Sequence, residues 1–156
     1  MATKKKTAKT ADPRALSLGT EKLKSSGLTL EDAEILSMHC LGQPQTQALH
    51  PAFKPLCSIK IEYHGPDGFP IIDHPGSSPF YRIRYLETPS DFGSLTDKKP
   101  PRYVQEPNTA PVAYYPRNQD WSKIIDDVDQ PLIITEGELK AAKACKEGFP
   151  TVGIGG

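Results

Sequence analysis

Residues 131–156 read PLIITEGELKAAKACKEGFPTVGIGG, and few local structures accommodate that order. Leu132, Ile133, Ile134 and Thr135, each apolar or β-branched, form a run that enters the triplet Glu136-Gly137-Glu138. β-branched residues favour strands. Over 138–147 the spacing predicts a helix, rich in alanine, with Leu139, Ala142 and Cys145 on its inward face. Gly148 follows as the residue that ends it. Phe149 and Pro150 lead into a second strand, Thr151-Val152-Gly153-Ile154, and Gly155 and Gly156 open another turn. A strand, helix and strand in so short a space predict a βαβ unit with parallel strands. The unit puts a carboxylate, Glu136, at the carboxyl end of a buried strand, where open α/β sheets bind ligands.

The residue types at that turn suit phosphate chemistry. Glu136 can ligate a hard cation such as Mg²⁺, which takes oxygen ligands and keeps several waters. It can also act as a general acid or base if its proton affinity is raised. Gly137 permits a sharp turn and a close approach by a phosphate. Glu138 opens the helix, where the dipole favours an acid. Lys140 lies one turn in and reaches the same side. With Gly153 and Gly155 at the neighbouring strand end, Gly137 completes a set of turn glycines. These glycines match neither a Walker A loop nor a dinucleotide-binding loop, so the pattern does not point to ATP or NAD.

The rest of the chain is of another kind. Its 156 residues suffice for one core. Apolar residues make up only 37% and there are 16 prolines, so regular structure is interrupted often. Nineteen basic residues balance 19 acidic ones, but Lys4, Lys5, Lys6, Lys9 and Arg14 crowd the start. Residues 1–14 read as a disordered basic leader, either merely solvated or in contact with nucleic acid. Residues 15–130 read as an α+β accessory region and 131–156 as the incomplete α/β unit. No run approaches the roughly 20 apolar residues that span a bilayer, and no apolar segment follows the early lysines as in a secretory signal. Three widely spaced cysteines, Cys40, Cys57 and Cys145, argue for a reducing, cytoplasmic setting.

Within the accessory region, a short helix is expected over 15–24. Thr29 and Asp32 form an N-cap signal. Leu30, Ala33, Leu36 and Cys40 then share a helical face that Gly42 closes. Residues 43–55, with three prolines, read as irregular. Cys57, Ile59, Ile61 and Tyr63 alternate with Ser58, Lys60 and Glu62, as in a half-buried strand. Residues 80–86 alternate too: Tyr81, Ile83 and Tyr85 on one face, Arg82 and Arg84 on the other. The two strands are expected to pair antiparallel. Residues 102–104 and 112–115 are further strand candidates, and 121–128 a short helix with exposed aspartates after it.

Arg82 and Arg84 with nearby tyrosines suit single-stranded nucleic acid, although the tyrosines should point the other way. A solvated outer face accounts for the same alternation. His39, Cys40, His50 and Cys57 lack the spacing of a zinc set, and buried thiols account for the cysteines more simply. His64 and His74 fall in polar turns and read as exposed.

The run Ile134-Thr135-Glu136-Gly137-Glu138, with Ala141 and then Gly148-Phe149-Pro150-Thr151-Val152-Gly153, resembles the opening half of a Toprim domain. It is most similar to Toprim domains of phage and plasmid primases and primase-helicases. The stretches Ser26-Gly27-Leu28-Thr29, Ile61-Glu62-Tyr63, Arg82-Ile83-Arg84, Arg102-Tyr103 and Tyr115-Pro116 are similar to a Toprim-like family found ahead of replicative helicases in mobile elements. The resemblance implies a catalytic, metal-binding glutamate at Glu136 and Mg²⁺ as cofactor. The partners it implies are nucleotides, a DNA or RNA primer-template and a fused or associated helicase. The implied activity is primase-type nucleotidyl transfer by the intact protein. The alternative is a non-catalytic module in which Lys140, Arg82, Arg84 and Arg102 hold nucleic-acid phosphates. The Asp-x-Asp pair that completes the family's Mg²⁺ site lies beyond these residues, and Lys140 stands where many members carry aspartate.

Overall fold

The computed structural model describes residues 11–73, 75–88 and 101–155. The basic leader up to residue 10 and His74 lie outside them. Pro13 and Arg14 are already helical. Asp12 caps α1 (Pro13–Ser25), its carboxylate accepting from the Ala15 amide at 3.0 Å, and proline takes the first turn, where no amide donor is needed. Ala15, Gly19 and Leu23 are the buried stripe of α1, and Gly19 lets the helix pass directly over the Cys40 sulfur.

Thr29 and Asp32 cap α2 (Leu30–Ile35) reciprocally: Asp32 N–H donates to Thr29 Oγ1 at 3.1 Å and Thr29 N–H to Asp32 Oδ2 at 2.7 Å. Thr29→Ala should cost about 1 kcal/mol in urea unfolding, with an unchanged denaturant slope. The helix expected to run on to Gly42 stops here. Ser37 turns to φ 54°, and the chain leaves as β1 (Met38–Leu41). Met38 and Cys40 suit a strand's alternation as well as a helix's period, and pairing with the next strand decides between them. Gly42 therefore begins a helix, α3 (Gln43–Leu49), in the stretch expected to be irregular. Pro44 sits in its first turn, where proline is tolerated.

β2 (Ser58–Glu62) pairs antiparallel with β1 and with β3 (Tyr81–Tyr85), as the alternation predicts. β4 (Tyr103–Gln105) pairs with β3, so the antiparallel sheet runs in the order β1-β2-β3-β4. Register sorts the side chains by face. Met38, Cys40, Ile59, Ile61, Arg82, Arg84 and Tyr103 share one face. Leu23, Leu28, Ala33 and Leu36 pack there, together with Leu139, Ala141 and Ala142 of the βαβ unit. The opposite face carries Tyr81, Ile83 and Tyr85, packed by Phe53, Leu49 and Leu56.

Residues 112–115 form no full strand; only Tyr114 bridges, antiparallel, to Gly153. After the short α4 (Trp121–Ile125) come β5 (Ile133–Glu136), α5 (Glu138–Lys146) and β6 (Thr151–Ile154). β5 and β6 are parallel, from Ile133 opposite Thr151 to Glu136 opposite Ile154. The molecule is thus mixed α+β, with a four-stranded antiparallel sheet and a two-stranded parallel one.

One expectation fails in the parallel unit: β5 is not buried. Ile134 is 64% exposed, and Leu132, Ile133 and Ile154 are exposed with it. α5 covers one side of the pair through Ala141, Ala142 and Cys145, while among the described residues nothing packs over the other.

Candidate functional site

The triplet after β5 splits its two acids into different environments. Gly137 takes φ 94°, ψ 141°, a conformation open to glycine alone at small cost, and its carbonyl starts α5. That reversal leaves Glu136 exposed at the strand end, its side chain in no hydrogen bond or ion pair among the described residues. It turns Glu138 the other way, to 1% exposure. Glu138 Oε1 accepts from Tyr63 Oη at 2.6 Å and from Arg82 Nη1 at 2.9 Å. The acid expected only to complement a helix dipole is therefore the centre of a buried network joining α5, β3 and the residue that follows β2.

Arg82 and Arg84 correct a second expectation. They are 6% and 7% exposed, not a solvated outer face. α1 and α5 lie over that side of the sheet, and Tyr103 on β4 flanks both guanidiniums, its ring centroid 5.5 Å from Arg82 and 5.4 Å from Arg84. Tyr81 and Tyr85 do face away from the arginines, as alternation requires. Arg82 also passes close to Gly155: a Cβ there would lie 2.6 Å from Arg82 Nη1, so a side chain would push the guanidinium away from its place beside Glu138. Gly153 lies inside β6, not in a turn; a Cβ on it would sit 3.3 Å from the Tyr114 Cβ and 3.4 Å from that of Ala141.

Burial pushes the Tyr63 hydroxyl far above its ordinary pKa, and the charge and hydrogen bond of Glu138 push it the same way. Tyr63 is therefore a neutral donor that holds Glu138 in place. Tyr114, packed edge-on at 5.0 Å from the Tyr63 ring, is raised chiefly by burial too.

Above this network opens a cleft of about 650 Å³. Lys22, Arg82, Tyr103, Glu136, Lys140 and Lys143 line it. Glu136, Gly137, Lys140 and Arg82, picked out from sequence, thus meet in one place. Lys22 comes from the last turn of α1, far away in the chain, and carries no local signal. Lys143 is ion-paired to Glu147, while Lys140 is exposed with no ion pair among the described residues. Arg84 and Arg102 do not reach this cleft; they line a neighbouring pocket.

The donor set suits Mg²⁺ only in part. Glu136 offers one exposed carboxylate, and Glu138 is engaged by Arg82 and Tyr63. Among the described residues no group of three or more His, Cys, Asp and Glu side chains is arranged to hold a metal. Mg²⁺ often takes one or two carboxylates and completes its shell with water and substrate phosphates. Glu136 fits such a site as a single ligand.

The thiols of Cys57 and Cys145 are buried and that of Cys40 is half-buried. His64, read as exposed, is buried; desolvation, then the charge of Arg117, lowers its pKa. No helix among the described residues is long and apolar enough to cross a membrane. Compared with known proteins, the chain matches no family model, no curated protein and no solved structure.

Proposed function

We propose that this chain belongs to a mobile-element DNA replication protein of the Toprim type, whose intact form carries out primase-type nucleotidyl transfer with Mg²⁺. One observation carries the reading: the carboxylate at the end of a parallel strand opens on a cleft lined by Lys22, Arg82, Lys140 and Lys143, whose other acid, Glu138, is already engaged by Arg82 and Tyr63. Lys22, Lys140 and the Arg82 guanidinium supply donors for phosphate oxygens. Glu136, held by the strand and the Gly137 turn, stands where it can take a proton from an attacking hydroxyl or contribute an oxygen to the metal shell. Mg²⁺, when bound, would neutralise charge developing on the phosphate. Glu138 does not react; through Arg82 and Tyr63 it sets the cleft floor.

In the intact protein, Glu136→Gln should lower Mg²⁺-dependent primer synthesis by about 10²-fold, the lower range for a lost acid–base group. Binding to single-stranded DNA should stay within about twofold, because the phosphate-holding cations remain. Full synthesis by the variant would exclude Glu136 from the chemistry.

A second reading is favoured by the presence of only one unengaged carboxylate in the cleft. It is a non-catalytic module that holds nucleic acid through the same cations. Here Glu136→Gln leaves binding unchanged or tighter, no synthesis accompanies it, and Lys140→Gln lowers the salt dependence of binding by about one phosphate contact.

A further inference from the structure

The pocket on the other side of the α1 C-terminal turn shares Lys22 and Ser25 with the cleft and has a similar volume, about 650 Å³. Its chemistry differs in having no free acid at the centre. Lys22, Arg84 and Arg102 converge there. Arg84 is the informative member. It is 7% exposed, its Nε is buried without a hydrogen-bond acceptor, and its guanidinium meets only the Tyr103 hydroxyl and, at a long 3.4 Å from Nη1, the Tyr85 carbonyl. The Tyr103 ring lies beside it.

Among the described residues no carboxylate pairs with Lys22, Arg84 or Arg102. Glu87 borders the pocket but is engaged by Arg14, by the Cys57 amide at 2.7 Å and by Gln43 at 3.3 Å. Glu21, also on the rim, is exposed on α1. The positive field is felt by its own members: desolvation, then Arg84 and Arg102, hold the Lys22 ammonium below its ordinary pKa.

A guanidinium taken out of water without a carboxylate is costly, and proteins offset that cost with an anion. Arg82, two residues away on the same strand, has Glu138 for this purpose. Arg84 has a pocket instead. We propose that Lys22, Arg84 and Arg102 form a second phosphate-binding site, separate from the Glu136 cleft, that takes the phosphate group of a nucleotide or polynucleotide. A planar guanidinium below and two flexible cations at the rim match a tetrahedral phosphate anion. The site does not depend on any chemistry at Glu136.

Thermal unfolding of the full chain tests this with three probes at matched ionic strength: inorganic phosphate, a 5′-phosphorylated oligothymidylate and its unphosphorylated counterpart. Phosphate should raise the wild-type melting temperature relative to chloride. Arg102→Gln, an exposed change that leaves the core alone, should weaken that protection about tenfold or more in apparent affinity, the value of one charge-assisted hydrogen bond. Arg84→Met should do the same, while Lys24→Gln, an exposed cation that lines neither pocket, should retain it. Protection by phosphate and the phosphorylated oligonucleotide alone identifies a terminal phosphate as the ligand. Equal protection by the unphosphorylated strand identifies an internal phosphodiester. Undiminished protection of Arg102→Gln, or no protection of the wild type by any probe, overturns the proposal. Loss of synthesis in Glu136→Gln bears on the cleft alone, so the two readings fail separately.

Discussion

Glu138→Ala is expected to destabilise the fold by about 3–5 kcal/mol, the cost of removing one partner from a buried ion pair. The side chain is 1% exposed, and its Oε1 serves both Arg82 and the Tyr63 hydroxyl. Alanine takes the carboxylate from a guanidinium that is itself 6% exposed, and the acceptor from a phenol that cannot ionise instead. Glu136→Ala, two residues earlier, removes an exposed carboxylate outside any hydrogen bond among the described residues and should hardly move the urea midpoint. Glu138→Gln keeps an acceptor oxygen and should fall between. The pair Glu138→Leu with Arg82→Met should recover much of the loss, since a buried ion pair is often no more stabilising than apolar residues of similar volume. If Glu136→Ala proves the damaging change and Glu138→Ala the silent one, the two acids have been assigned the wrong way round.

Raising the pH above 10 should unfold the protein steeply. Tyr63 and Tyr114 are almost fully buried, and burial, followed by the charge of Glu138, lifts both hydroxyls well above the ordinary tyrosine value. Below pH 10 both phenols are protonated in the folded and unfolded chains alike, and stability does not depend on them. Above it, the unfolded chain releases these protons while the folded chain keeps them. Stability then falls by about 1.4 kcal/mol per pH unit for each such tyrosine. Tyr81 adds to the trend, raised by burial and by its hydrogen bond to Glu106. Tyrosinate absorbance of the buried phenols should appear only as the far-ultraviolet circular dichroism is lost. Tyr63→Phe should flatten the slope by one residue's share. Tyrosinate forming fully while the helices and sheet persist would show that these rings are open to solvent.

Both expectations involve residues that no local pattern singles out. Tyr63 reads as one more apolar position in a strand's alternation, and Glu138 as a helix-start acid. Their meeting joins positions 75 residues apart, and nothing in the intervening sequence encodes that closure. Arg82 and Arg84 are similar. Alternation assigns them correctly to the face opposite Tyr81 and Tyr85, but both faces of β3 are buried, and the arginine face is so because α1 and α5 pack over it. The stretch after Leu36 misled for a related reason. Cys40 continues the helical period of Leu30, Ala33 and Leu36, yet Met38 and Cys40 also fit a strand, and pairing with β2 outweighs the weaker local preference.

The residues alone determine the elements whose causes are local: the Thr29–Asp32 cap, the alternating strands β2 and β3, and the strand–turn–helix–strand run with Glu136 at its first turn. Those follow from hydrogen-bonding groups and apolar spacing within a few positions of one another. Tertiary packing alone decides that Glu136 stays in solvent while Glu138 is buried, and that Lys22 joins Arg82 in one cleft and Arg84 in the next. Charges are placed by what surrounds them in space, and here the surrounding groups come from α1, from the antiparallel sheet and from the parallel pair together.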